Sequence, residues 1–151
     1  MVVGKQNNKI SFYDPKLIEV SDSDSSKFSW LSEGVRNPEF PINYIQHIRG
    51  IRSNIILVSS HEVVRDALSN NGIYYTLVYP HRSLLNEYTE RFKSRGSPDS
   101  FIKLVISNWD SWMDSLESSG ITRKHVLLSG QYISDILPDL ISNFMPLGKA
   151  S

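Results

Sequence analysis

Apolar positions follow two different periods along this chain, and the switches between them predict its elements. Short apolar runs at Leu17 to Val20, Asn54 to Ser59, Tyr74 to Tyr79 and His125 to Ser129 have strand length, and helical patterns separate them. Ile55, Ile56, Leu57 and Val58 lack polar alternation, the pattern of a strand covered on both faces. Tyr75, Leu77, Val78 and Tyr79 form its expected neighbour, and Met1 to Val3 add a very short first strand. Strands joined through helices imply parallel crossovers, so the expected fold class is α/β, a mainly parallel sheet flanked by helices.

The helical stretches carry their own start and stop signals. His61 to Asn70 turns Val63, Val64, Ala67 and Leu68 inward, and Asn70-Asn71-Gly72 ends it where a left-handed residue fits. Arg82 to Arg95 groups Leu84, Leu85, Tyr88 and Phe92 on one face, with Gly96 as its stop. Ser97-Pro98-Asp99 reads as a new start capped by Ser97, followed by Phe101, Val105, Trp109, Trp112 and Leu116 at helical spacing. Tyr132, Ile133, Ile136, Leu137, Leu140 and Ile141 make the last pattern, in which Pro138 predicts a kink or two short helices. Residues 31–41, with one glycine and two prolines, predict a surface loop within a single domain over 1–144, and 145–151 predict a flexible tail.

Length and charge narrow the picture. A chain of 151 residues suits one compact domain with a sizeable core. Sixteen basic and sixteen acidic residues cancel, so nucleic acid is not indicated as a partner and any anion site must be local. The lack of cysteine excludes disulfides, zinc-thiolate centres and a catalytic thiol. The first residues lack the apolar run of a signal peptide, and no stretch approaches the roughly 18 apolar residues of a membrane span. The expectation is a soluble cytoplasmic protein without a membrane partner.

The candidate chemistry begins with Gly4-Lys5-Gln6-Asn7-Asn8-Lys9-Ile10-Ser11, which has the length of the phosphate loop G-x-x-x-x-G-K-[ST]. Gly4 and Ser11 stand in place, but Lys9 occupies the second glycine's position and Ile10 the phosphate lysine's. Ile10 offers neither charge nor hydrogen bond, so the loop is a degenerate Walker A sequence; Lys9 takes over only if the turn slips by one residue. An ordinary polar strand-to-helix loop is the other reading. Tyr13-Asp14-Pro15 then interrupts the helix whose N-terminus would face a phosphate.

Further on, the chain resembles a family of small P-loop proteins of phage and prophage genomes in Gram-positive bacteria, related in fold to nucleoside and nucleotide kinases. The landmarks are Val20-Ser21-Asp22-Ser23-Asp24-Ser25-Ser26-Lys27-Phe28-Ser29-Trp30, Ile55-Ile56-Leu57-Val58-Ser59-Ser60-His61, Val78-Tyr79-Pro80, and Glu87-Tyr88-Thr89-Glu90-Arg91-Phe92-Lys93-Ser94-Arg95-Gly96. The resemblance implies a three-layer kinase-like architecture with a nucleotide-sized cleft, in the cytoplasm of a phage-infected host. It also implies Asp22 or Asp24 near an acceptor or its magnesium, and Arg91 and Arg95 on a lid-like helix over phosphates. With the loop degenerate, the functional expectation is noncatalytic or strongly weakened: recognition of a nucleotide-like ligand or of a host or phage protein. The alternatives are a magnesium-dependent phosphotransferase using ATP and a ligand-free interaction module.

Each candidate has a second, structural reading. Asp22 and Asp24, which with Ser11 form the candidate magnesium ligands, lie among serines suited to turns and caps. Ser59, Ser60 and His61 follow a strand where a ligand could sit, yet Ser60 could equally cap the next helix. Arg91 and Arg95 share a helical face fit to grip phosphate, while Glu87 four residues earlier permits an ordinary ion pair. Gly4, Lys9, Ser11, Arg91 and Arg95 are thus the candidate phosphate-binding set.

Overall fold

The computed structural model describes Val2–Gly4 and residues 18–144, with side chains described from 18 to 141. The chain is mixed α/β and forms two compact units, one taking residues up to Thr76 and again from Leu137, the other Leu77–Ile136. No described helix is long and apolar enough to cross a membrane.

The first unit holds strand β1 (Val2–Gly4), β2 (Val20–Ser23), helix α1 (Ser26–Ser29) and a hairpin of β3 (Trp30–Ser32) and β4 (Val35–Arg36). It continues through α2 (Ile42–Gly50), β5 (Ile55–Val58) and α3 (Glu62–Asn70). β5 is the central strand of the order β1-β5-β2. Parallel pairing holds for β2, which aligns Val20 with Ile55 and Ser23 with Val58, whereas the strand expected beside β5 at Tyr75 to Tyr79 does not pair with it. β1 instead runs antiparallel, pairing Val2 with Leu57 and Gly4 with Ile55. Ile56 and the α2 residues Tyr44 and Ile48 are fully buried, as are Val64 and Leu68 of α3.

Three expectations for this unit need correction. The strand expected at Leu17 to Val20 is instead Val20–Ser23, whose inward positions are Ser21 and Ser23. Hydrogen bonding makes the Ser21 placement tolerable, because Ser21 Oγ pairs with Ser53 Oγ. The loop expected over 31–41 contains the hairpin, whose turn is enabled by Gly34 at φ 74°. α3 buries Arg65 where Val63 was expected to face inward; Val63 is 46% exposed. A buried guanidinium needs an acceptor, and Arg65 Nη1 donates to the Ser60 carbonyl at 2.7 Å.

The second unit contains β6 (Leu77–Pro80), a 3₁₀ turn (Arg82–Leu84), α4 (Leu85–Ser94), α5 (Asp99–Glu117) and β7 (Lys124–Leu127). The first turn of α6 (Ile133–Phe144) also belongs here, and its remainder belongs to the first unit. β6 and β7 are parallel, pairing Leu77 with Lys124 and Pro80 with Leu127. α5 buries Ile102, Val105, Trp109, Met113 and Leu116, a helical stripe in which Trp109 Nε1 also donates to the Arg82 carbonyl at 2.8 Å. Phe101 and Trp112, expected in that stripe, sit at its partly exposed margin.

Both predicted glycine stops are present. In α3, Gly72 N donates to Ser69 O and Ile73 N to Leu68 O; in α4, Gly96 N donates to Lys93 O and Ser97 N to Phe92 O. These are paired closing bonds around a left-handed residue, with Gly72 at φ 67° and Gly96 at φ 80°. Ser97 consequently does not cap α5: its amide closes α4, its hydroxyl accepts from Arg95 Nε at 3.3 Å, and Pro98 takes the cap position. Pro138 lies inside one continuous α6 rather than dividing it. Pro138 is exposed in that helix.

Candidate functional site

The parallel pairing of β2 with β5 brings two sequence-distant turns to one edge of the first unit. After β2 come Asp24 and Ser25; after β5 come Ser59, Ser60 and His61. A direct bond joins them, Ser25 N donating to Ser59 Oγ at 3.2 Å. Tyr44, at 0% exposure on α2, donates its hydroxyl to the Ser23 carbonyl at 2.7 Å and fixes the end of β2 from inside. Burial pushes the Tyr44 phenol up in pKa, against the opposing pull of its contacts with Ser23 and Ser59.

Asp24 adopts the turn role. Its Oδ1 accepts from Ser26 N at 2.9 Å and its Oδ2 from Ser26 Oγ at 2.7 Å. The Ser26 amide, followed by the Ser26 hydroxyl, holds the carboxyl below its ordinary range, because both donors favour the charged form. Asp22 is exposed within β2, opposite Leu57 in the ladder. Among the described residues, no group of three or more His, Cys, Asp or Glu is arranged to hold a metal. Both Asp24 oxygens accept hydrogen bonds from Ser26, Asp22 stays exposed, and Ser11, the third candidate magnesium ligand, lies outside the described residues.

Ser60 does not cap α3. His61 occupies that position, and no side chain caps the helix. Ser59 and Ser60 are half-buried while His61 is exposed, leaving this turn open to solvent and close to the positive end of a nine-residue helix. Ser23 Oγ is buried with no hydrogen-bond partner among the described residues.

Gly4 lies in the β1 ladder opposite Ile55, at the beginning of β5, whereas Ser59 to His61 follow its end. Lys9 and Ser11 are outside the described residues. Arg91 and Arg95 belong to the second unit, where each is engaged. Arg91 Nη2 donates to Glu87 Oε1 at 2.7 Å, and its guanidinium lies 4.1 Å from the Tyr132 ring centroid. Arg95 lies 4.8 Å from the Phe92 ring centroid. Arg82 meets Asp110, Asp114 and Glu117 along α5.

Tyr44, Arg65 and Asn43 were absent from the sequence-based set. Asn43 Nδ2 donates to the Phe28 carbonyl at 2.9 Å and so ties α2 to α1. The signal for the α2 residues was available in Tyr44, Ile45 and Ile48, spaced as one face of a helix immediately after Phe40-Pro41. No family model, curated protein or solved structure matches this chain.

Proposed function

We propose that this chain is a noncatalytic recognition protein of P-loop nucleotide-kinase-like ancestry, taking a nucleotide-like ligand at the end of β2 and β5. The observation that carries this reading is the Ser25–Ser59 bond, which joins two small polar turns into one surface beside the uncapped N-terminus of α3. Backbone N–H groups there suit a phosphate, and the half-buried Ser59 and Ser60 suit ligand hydroxyls. Tyr44 and Arg65 act as positioning residues, holding the two turns through the Ser23 and Ser60 carbonyls.

The reading is noncatalytic because Ile10 replaces the lysine that neutralises charge during phosphoryl transfer, and Asp24 serves its own turn. Calorimetry with ATP, with and without magnesium, tests it alongside a phosphate-release assay. Binding without turnover is expected, and Ser59→Val should weaken it about tenfold, the effect of roughly 1.4 kcal/mol from lost hydrogen bonding. Failure of the native protein to bind at millimolar nucleotide would reject the ligand, and turnover would reject the noncatalytic assignment.

A further inference from the structure

Two donors from separate parts of the second unit converge on one carboxylate oxygen. Glu87 Oε1 accepts from the Gly130 amide at 2.7 Å and from Arg91 Nη2 at 2.7 Å. Both donors are also positioned by other groups. The Arg91 guanidinium lies 4.9 Å from the Tyr88 ring centroid and 4.1 Å from that of Tyr132, and Nη1 donates to the Gln131 carbonyl at 3.2 Å. Gly130 sits at φ 77° in a turn closed by Gln131 N to Leu128 O, and Gln131 Oε1 accepts from Leu128 N at 2.8 Å.

This arrangement differs from an exposed pair that exists only while two flexible side chains meet. Aromatic rings and a backbone carbonyl hold the guanidinium; a turn stabilised by its own side chain aims the amide. The Glu87 and Arg91 side chains are 26% and 19% exposed, so a small solute can reach them. A guanidinium and a backbone N–H together match the oxygen pattern of an oxyanion.

We propose that the Gly130 amide and the Arg91 guanidinium form an oxyanion socket that Glu87 plugs from within the chain, and that an external phosphate enters by displacing this carboxylate. The inference uses none of the residues at the β2–β5 edge and stands independently of that assignment. Glu87 is tethered one helical turn from Arg91, so it competes as an intramolecular ligand, at an effective concentration on the order of millimolar or above. A dianionic phosphate has more charge to offer the socket than a carboxylate does. Simple carboxylates should therefore be the poorer competitors.

The test uses the full chain with Glu87→Ala, titrated with inorganic phosphate or acetate against chloride at constant ionic strength. The expected readout is a saturable phosphate-dependent shift of the Gly130 amide resonance. Melting temperature should rise by about 3 °C when phosphate is ten times its Kd. Acetate should need at least about tenfold more for the same response, and the native protein should need at least about tenfold more phosphate than the variant, because Glu87 competes. Adding Arg91→Ala should abolish the response. A folded Glu87→Ala protein whose Gly130 resonance ignores phosphate overturns the proposal, as does a response that survives removal of Arg91. If the alanine variant does not fold, Glu87→Gln provides the same test while keeping the side chain's volume: it must respond to phosphate, and an indifferent, folded glutamine variant overturns the socket.

Discussion

At the end of β2 and β5, serine and aspartate turns meet through one amide-to-hydroxyl bond, whereas around β6 and β7 two arginines are drawn into contact with four carboxylates. Both pairs are parallel, and both run into turns at their C-terminal ends. The difference lies in which groups complete them. Short hydroxyl side chains fix the first edge with little charge and leave Ser59, Ser60 and His61 in reach of solvent. The second unit closes over itself: Arg82 gathers three acids of α5, and Glu87 joins Arg91 to the Gly130 turn. An arginine already held in this way contributes shape, and becomes available to a ligand only by exchange.

The strongest way to break the comparison is to remove what supports the second network. Trp109 is 5% exposed and its indole donates to the Arg82 carbonyl, so it combines apolar burial with positioning of the cation. Trp109→Ala should destabilise the protein by about 3–5 kcal/mol, measured by denaturant unfolding. A loss below about 1 kcal/mol would show that the charged network does not depend on this core, since that is the size expected of exposed ion pairs alone.

A smaller change tests the first edge. Tyr44→Phe keeps the ring but removes the donor to the Ser23 carbonyl, with an expected loss of about 1–3 kcal/mol for a buried group left unsatisfied. It should also weaken any ligand of the Ser25–Ser59 surface, because the end of β2 loses its internal anchor. Unchanged stability and unchanged binding would remove Tyr44 as a positioning residue.

The legibility of these two regions in sequence differs for physical reasons. Ile55 to Val58 announced β5 through a continuous apolar run, and Gly72 and Gly96 announced helix ends through the one backbone conformation that they adopt cheaply. β2 was displaced in the sequence reading because Ser21 and Ser23 occupy its inward positions, which hydrophobicity cannot reveal. The β3–β4 hairpin was hidden for a related cause: all five of its strand residues are exposed. Its Trp30 and Leu31 therefore had no buried face to report.

The candidate residues show the same division. Asp24 and Ser59 to His61 were legible as separate candidate turns, whereas their meeting follows from the pairing of β2 with β5, which the sequence reading did not assign. Arg65 was not legible, because a buried arginine is justified only by its acceptor, the Ser60 carbonyl. The Glu87–Arg91 pair was readable from four-residue spacing, but Gly130 lies 43 positions from Glu87 and enters through tertiary structure alone. Gly4 was assigned by loop spacing, and spacing carries no information about strand direction. Antiparallel pairing of β1 sets Gly4 opposite Ile55, away from the turn that begins at Ser59.

Acid titration sharpens the comparison with the smallest expected effect. Asp24 is lowered from 3.8, chiefly by the Ser26 amide, and Glu87 is lowered from 4.5, chiefly by the Gly130 amide. For each, the unfolded chain binds a proton more readily than the folded one. The stabilising contribution is therefore complete above the unfolded value and disappears as pH falls through the folded value. Unfolding measurements from pH 6 to pH 3 should show native stability declining below about pH 5, with Asp24→Asn and Glu87→Gln each flattening part of that decline. The Glu87 part should begin at the higher pH, since its unfolded value is higher. Salt separates them further: Asp24 rests mainly on hydrogen bonds within its own turn, while the Arg91 part of Glu87's interaction is screened. If Asp24→Asn leaves the acid limb unchanged, its carboxylate does not hold the first edge, and the two regions differ in more than the charge of their connections.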